Sequence, residues 1–142
     1  TRLEMTFLDT NVSLDLLAKK SPWHNHVEQI VRYHIENNLT LFLSVISVPT
    51  LSYLITRYHK ERDAKSLLTH LATFTKMLDV TEEQALHAIH GNWSDLEDAL
   101  QYQCAKHHNA EIIITRNKKD FVQADISAFH PEEWISIFIE NT

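Results

Sequence analysis

Three consecutive β-branched residues, Ile112-Ile113-Ile114, constrain the fold of this chain more than any other segment. A strand with one wet face alternates apolar and polar side chains, so an unbroken isoleucine run fits a strand buried on both faces, as in parallel sheets covered by helices. The rest of the chain agrees. Met5-Thr6-Phe7-Leu8 reads as a short strand that leaves through Asp9-Thr10-Asn11, residues suited to cap a following helix. After Pro22, Val27, Ile30, Val31 and Ile35 recur at helical spacing. Leu39 to Leu43 reads as a second buried strand. Val48, Leu51, Ile55 and Tyr58 then trace a helix that Pro49 begins, and Ala64, Leu67, Leu68 and Leu71 trace another. Met77 to Val80 is a brief strand, and Thr81 with Glu82-Glu83-Gln84 opens a helix to about His90. Ser94-Asp95-Leu96-Glu97 repeats that capping chemistry, with Ser94 as the cap and Leu96, Ala99, Leu100 and Cys104 facing inward. Pro131-Glu132-Glu133-Trp134 opens a last helix. Strands alternating with helices predict an α/β fold with a mostly parallel central sheet of four or five strands. No linker, repeat or low-complexity stretch divides the chain, so residues 1–142 are read as a single domain.

Composition removes several classes of function. The single Gly91 rules out a glycine-rich phosphate cradle, because such a loop needs several residues free of Cβ. The lone Cys104 excludes an internal disulfide and a cysteine-rich zinc site, and a reducing cytoplasm is the expected location. The run Leu41-Phe42-Leu43 is broken by Ser44, far short of the roughly 18 apolar residues that cross a bilayer, so no membrane association is expected. A formal charge of −6 argues against a nonspecific nucleic-acid coat, whose affinity comes from Lys and Arg. It leaves room for a local basic rim.

Acidic residues fall where such a sheet gathers its ligands. In open parallel sheets the site lies beyond the carboxyl ends of the strands, where connections diverge. Asp9 follows the first strand, and Asn117 and Asp120 follow the isoleucine strand. Asp98 and Asp95 lie three residues apart on the helix leading to that strand. Oxygen ligands of this kind suit Mg²⁺ or Mn²⁺, and the matching chemistry is phosphodiester hydrolysis by a metal-activated water. Plainer readings stand beside this one. Asp9 also suits a helix cap, Asp95 also complements a helix dipole, Asp120 also pairs with Lys118 or Lys119, and Thr10 and Asn11 serve either as orienting donors or as turn residues. Arg116, Lys118 and Lys119 form a basic stretch beside the crevice, suited to a nucleic-acid backbone.

The strings Phe7-Leu8-Asp9-Thr10-Asn11, Asp95-Leu96-Glu97-Asp98-Ala99-Leu100-Gln101 and Thr115-Arg116-Asn117-Lys118-Lys119-Asp120-Phe121, in that order, resemble the PIN-domain family in its bacterial VapC toxin branch. The likeness runs from about Met5 to Trp134. It implies a three-layer α/β/α sandwich and a Mg²⁺- or Mn²⁺-dependent endoribonuclease acting on RNA, the toxin of a toxin-antitoxin pair. A small antitoxin protein and a homodimer are implied with it. Carried onto this sequence, the resemblance makes Asp9 the first acid and Asp98 the central one, with the Asn117/Asp120 pair supplying the last. The residues themselves add Asp95 as a further ligand and Thr10, Asn11, Thr50 and Thr115 in support, so Asp9, Asp98 and Asp120 are the expected catalytic acids. The resemblance also marks a departure. The family has a Glu in the helix after the second strand, and Thr50 stands there instead. A hydroxyl adds no charge, so the alternative expectation is a degenerate PIN fold that binds RNA or protein with little catalysis, unless Asp95 compensates.

Overall fold

In the computed structural model, which describes residues 5–121 and 124–140, five strands form one sheet with every pairing parallel. The strands are β1 (Thr6–Leu8), β2 (Leu41–Ser44), β3 (Thr75–Leu78), β4 (Ile112–Ile114) and β5 (Ser127–Phe129), in spatial order β3-β2-β1-β4-β5. Seven α-helices are described: α1 (Thr10–Leu17), α2 (His24–Glu36), α3 (Ser47–Tyr58), α4 (Ala64–Ala72), α5 (Glu82–His90), α6 (Leu96–His107) and α7 (Pro131–Phe138). A single-turn 3₁₀ helix, Lys118–Phe121, follows β4.

The two central strands are buried along their whole length, as the isoleucine run demands. Alternate side chains leave on opposite faces. Leu8, Ile112 and Ile114 pack with Val12, Val27, Ile30 and Trp134 from α1, α2 and α7. Phe7 and Ile113 pack with Tyr102, Cys104 and Ala105 of α6 on the other side. Leu43 joins Leu51, Ile55 and Leu71, which bring α3 and α4 onto the sheet. The result is the three-layer α/β/α arrangement, and Cys104 is a fully buried core thiol.

With so little glycine, two asparagines terminate helices. Asn38 and Asn109 adopt positive φ (54° and 62°) after α2 and α6, a left-handed conformation that asparagine tolerates better than other side chains. At each, the following amide reaches back five residues, Leu39 to His34 at 2.8 Å and Ala110 to Ala105 at 2.9 Å, closing the helix in a Schellman arrangement.

The structure also moves several boundaries. The second strand starts at Leu41 rather than Leu39 and the third at Thr75 rather than Met77, while β5 lies in a segment whose short, mixed composition gave no strand signal. Asp95, not Ser94, caps α6, its Oδ1 accepting from the Asp98 amide at 2.9 Å. Leu96, Ile35 and Tyr58 are exposed although helical spacing places them on apolar stripes. Their stripes lie at helix ends, beyond the sheet that covers the middle turns.

The strand order turns at β1. The chain builds outward through β2 and β3, then returns to place β4 on the other side of β1. Such a reversal opens a crevice beyond the carboxyl ends of the two neighbours.

Candidate metal centre

Asp9 stands at that reversal. Its amide donates to the Ile114 carbonyl at 3.0 Å, extending the β1–β4 ladder by one residue, and the chain then turns directly into α1. One carboxylate oxygen, Oδ1, accepts from the Thr10 amide at 2.8 Å, and Oδ2 accepts from the Thr115 hydroxyl at 2.8 Å. The same Thr115 hydroxyl accepts from the Asn117 amide at 3.0 Å, so β4's exit loop is pinned to the end of β1. Asp9 is 3% exposed. Burial pushes its pKa up to about 6 against the pull of the two hydrogen bonds, with smaller upward contributions from the charges of Glu97 and Asp95. Asp9 therefore fills the capping role, and its carboxylate stands at the strand reversal.

Beneath Asp9 lies a buried polar knot. The Thr10 and Ser47 hydroxyls are 2.7 Å apart, and Gln101 Nε2 donates to both, at 2.9 and 3.0 Å. One amide thus ties the first turns of α1 and α3 to the middle of α6. Since Thr10, Ser47 and Gln101 are all buried, replacing Gln101 by Ala strips both hydroxyls of a donor they cannot recover from water. Chemical denaturation is expected to show a loss of about 1–3 kcal/mol.

The first turn of α6 supplies the other acids. Asp98 is half-buried, and its pKa is raised to about 7, first by burial and then by the charges of Asp9, Asp95, Asp120 and Glu97. Asp98 thus feels the charge of four other carboxylates, from the ends of β1 and β4 and the start of α6, making a group of five. Among the described residues none of these five forms an ion pair with Lys, Arg or His. Like charges held together without a cation raise one another's pKa and favour whatever positive charge arrives. Among the described residues no group of three or more His, Cys, Asp or Glu side chains stands close enough together to hold a metal ion as placed. The donor chemistry nevertheless fits a hard divalent cation. Every candidate ligand is an oxygen, the charge is uncompensated, and Mg²⁺ is held by a few carboxylates with water completing its shell.

The remaining expected residues divide by their contacts. Asp120, exposed in the 3₁₀ turn, acts on Asp98 through its charge, whereas Asn117 is joined to Asp9 through its backbone and Thr115. Asn11 Oδ1 faces the Arg116 amide at 3.5 Å. The Arg116 guanidinium is engaged elsewhere: Nε donates to the buried Asp15 at 2.6 Å and the group stacks 4.2 Å from the Trp23 ring. Lys118 makes an exposed pair with Glu133 at 2.9 Å, while Lys119 is exposed and has no ion-pair partner among the described residues. Thr50 donates its hydroxyl to Glu97 Oε1 at 2.9 Å. Sequence alone gives Glu97 a capping part at the start of α6, which the Thr50 contact replaces. It gives Gln101, Ser47 and Asp15 no part, because these side chains have partners far away along the chain. The one local signal was a polar Gln101 on an otherwise inward stripe.

Comparison with known proteins agrees with this fold. A family model described as a PIN domain matches residues 5–119. Ribonuclease VapC1 of Aquifex aeolicus is 28% identical over 139 residues, covering 92% of this chain and 93% of the relative. Among solved structures, the Sarcin-Ricin loop cleaving toxin VapC20 of Mycobacterium tuberculosis superposes with a TM-score of 0.70 at 16% identity, covering 89% of this chain and 99% of that one. A toxin-antitoxin complex from Klebsiella pneumoniae gives 0.64 at 22% identity, covering 89% and 97%. No helix among the described residues is long and apolar enough to cross a membrane.

Proposed function

This chain belongs to the PIN-domain family, and from that premise we propose that it is a divalent-metal-dependent endoribonuclease that hydrolyses RNA phosphodiester bonds as the toxin of a toxin-antitoxin pair. The observation that carries the reading is the uncompensated carboxylate cluster at the β1–β4 reversal, with Asp9 and Asp98 at its centre. The resemblance of the whole chain to a ribonuclease and to a toxin-antitoxin complex supplies the rest.

Bound in that crevice, Mg²⁺ or Mn²⁺ would polarise a phosphoryl oxygen and lower the pKa of a water. Asp9, Asp98 and Asp120 would hold the ion, with Asn117 and Asp95 at its border. Thr10 and Thr115 keep the Asp9 carboxylate in one orientation, which is the usual task of groups behind a ligand. Asn11 steadies the Arg116 backbone and so the loop after β4. Of the basic residues at the rim, Lys119 is the one without a partner among the described residues and is the principal candidate to meet a phosphate. The Lys118–Glu133 pair is exposed and worth only about 0–1 kcal/mol, so an RNA backbone would exchange readily for Glu133. Arg116 serves chiefly to anchor the loop through Asp15 and Trp23. A small antitoxin, a homodimeric state and a cytoplasmic location belong to the same proposal.

Incubating the purified protein with structured RNA in Mg²⁺ or Mn²⁺ tests it. Cleavage is expected with either ion, abolished by EDTA and restored by added Mn²⁺. Cleavage indifferent to EDTA removes the metal from the mechanism. No cleavage with either ion, together with retained RNA binding, favours the binding-module reading that Thr50 suggests.

A further inference from the structure

Helix α3 brings no acid to the crevice, since its sequence, SVPTLSYLITRY, contains neither Asp nor Glu. Its first turn instead presents Thr50, and that hydroxyl is spent on a carboxylate from another helix, donating to Glu97 Oε1 at 2.9 Å across 47 residues of chain. A Glu at the second position of a helix is ordinarily free to reach solvent while complementing the helix dipole. Glu97 is half-buried and turned across to α3. Its only hydrogen-bond donor among the described residues is the neutral Thr50, so the carboxyl group is held by a partner that brings no compensating charge, and Oε2 has no donor. The Glu97 charge reaches both Asp9 and Asp98, which lie on the two sides of the crevice. A hydroxyl clamp of this kind orients an acid without neutralising it, whereas a lysine or arginine clamp would cancel the charge a cation needs.

We propose that Glu97, swung across to α3 and held there by Thr50, is a further metal-holding residue of this centre and supplies from α6 the carboxylate that α3 lacks, with Thr50 as its positioning residue. The inference rests on the metal-dependent reading above and assigns one more residue to its site. It also reverses the meaning of Thr50. A hydroxyl in place of an acid then marks relocation of the charge rather than its loss.

Mn²⁺ binding to the whole protein, measured by calorimetry and by the paramagnetic resonance signal of the bound ion, provides the test, with melting in EDTA as the control for folding. Glu97→Gln is expected to weaken Mn²⁺ affinity by about tenfold or more while melting in EDTA stays near that of the parent. Thr50→Val is expected to weaken it by a smaller factor, because the acid remains but is no longer held, and Thr50→Ser, which keeps the hydroxyl, to bind as the parent does. The double change Glu97→Gln with Thr50→Glu is expected to recover affinity by returning a carboxylate to the same place from the other helix. Glu97→Gln within twofold of the parent, while Asp98→Asn abolishes binding, overturns the Glu97 assignment and leaves the metal-dependent reading standing. A parent protein that takes up no Mn²⁺ overturns both. If the double variant melts early, the Thr50→Val and Thr50→Ser pair decides, because equal affinity in those two denies Thr50 any positioning role.

Discussion

Asp98→Asn is expected to reduce metal-supported RNA cleavage by at least about a hundredfold and yet leave the metal-free protein as stable as the parent, or more so, at pH 8. The two halves of this expectation share one cause. Asp98 is half-buried, and its carboxyl is raised to about 7 by burial and by four neighbouring acids. At pH 8 it is ionised against that opposition, which is a standing cost to the empty fold, and an isosteric amide removes it. What the amide cannot do is contribute negative charge to a divalent cation. A residue that merely supported the helix would show the reverse pattern, with melting and activity falling together. Asp98 makes no side-chain hydrogen bond to another described residue; its amide, not its carboxylate, receives the Asp95 cap. Removing its charge therefore breaks no described contact. Cleavage rates at fixed Mn²⁺, set beside calorimetric melting in EDTA, separate the outcomes. A variant that melts earlier and cuts normally would return Asp98 to a structural role.

The parts of this arrangement that sequence reveals are those written in neighbouring residues. Ile112-Ile113-Ile114 is buried on both faces because nothing in the run tolerates water, and that fact alone fixes a covered parallel strand. Asp9 is legible for the same reason, as the first polar side chain after a buried strand and the natural cap of the next helix. Ser94 and Asp95 are both residue types that cap helices, and it is Asp95 whose Oδ1 accepts from the Asp98 amide. Glu97 reads as a capping residue because its partner, Thr50, lies in another helix. Read locally it is an acid at a helix start, indistinguishable from Glu82 or Glu83 at the start of α5. Arg116 misleads in the opposite direction. In a basic string it resembles a phosphate contact, but Asp15, on the buried side of α1, and Trp23 take up its guanidinium. Charge composition reports how many cations a segment has and says nothing of which are already matched.

Between about pH 5 and pH 8 the affinity for Mn²⁺ is expected to climb by about a thousandfold, while the stability of the metal-free protein moves the opposite way. The sign follows from Asp9 and Asp98, whose pKa values in the fold are about 6 and about 7 against an ordinary 3.8. A carboxyl raised on folding holds its proton more tightly in the folded chain than in the unfolded one. Its stabilising contribution is complete below about pH 4 and is lost as pH rises through the folded value. The empty protein should therefore melt progressively earlier from mildly acid to mildly alkaline buffer, and Asp98→Asn should flatten that slope. The buried His34, whose pKa is lowered by burial, acts in the other sense and remains in both proteins, so the difference between them isolates the acid. For the ion the same protons are competitors. If both must leave before it binds, about one ion displaces nearly two protons at pH 5 and almost none at pH 8. Calorimetry in buffers of differing ionisation enthalpy counts them directly. Affinity that is flat with pH, or uptake without proton release at pH 5, would mean that the ion is held away from Asp9 and Asp98, by carboxylates whose protons are already gone.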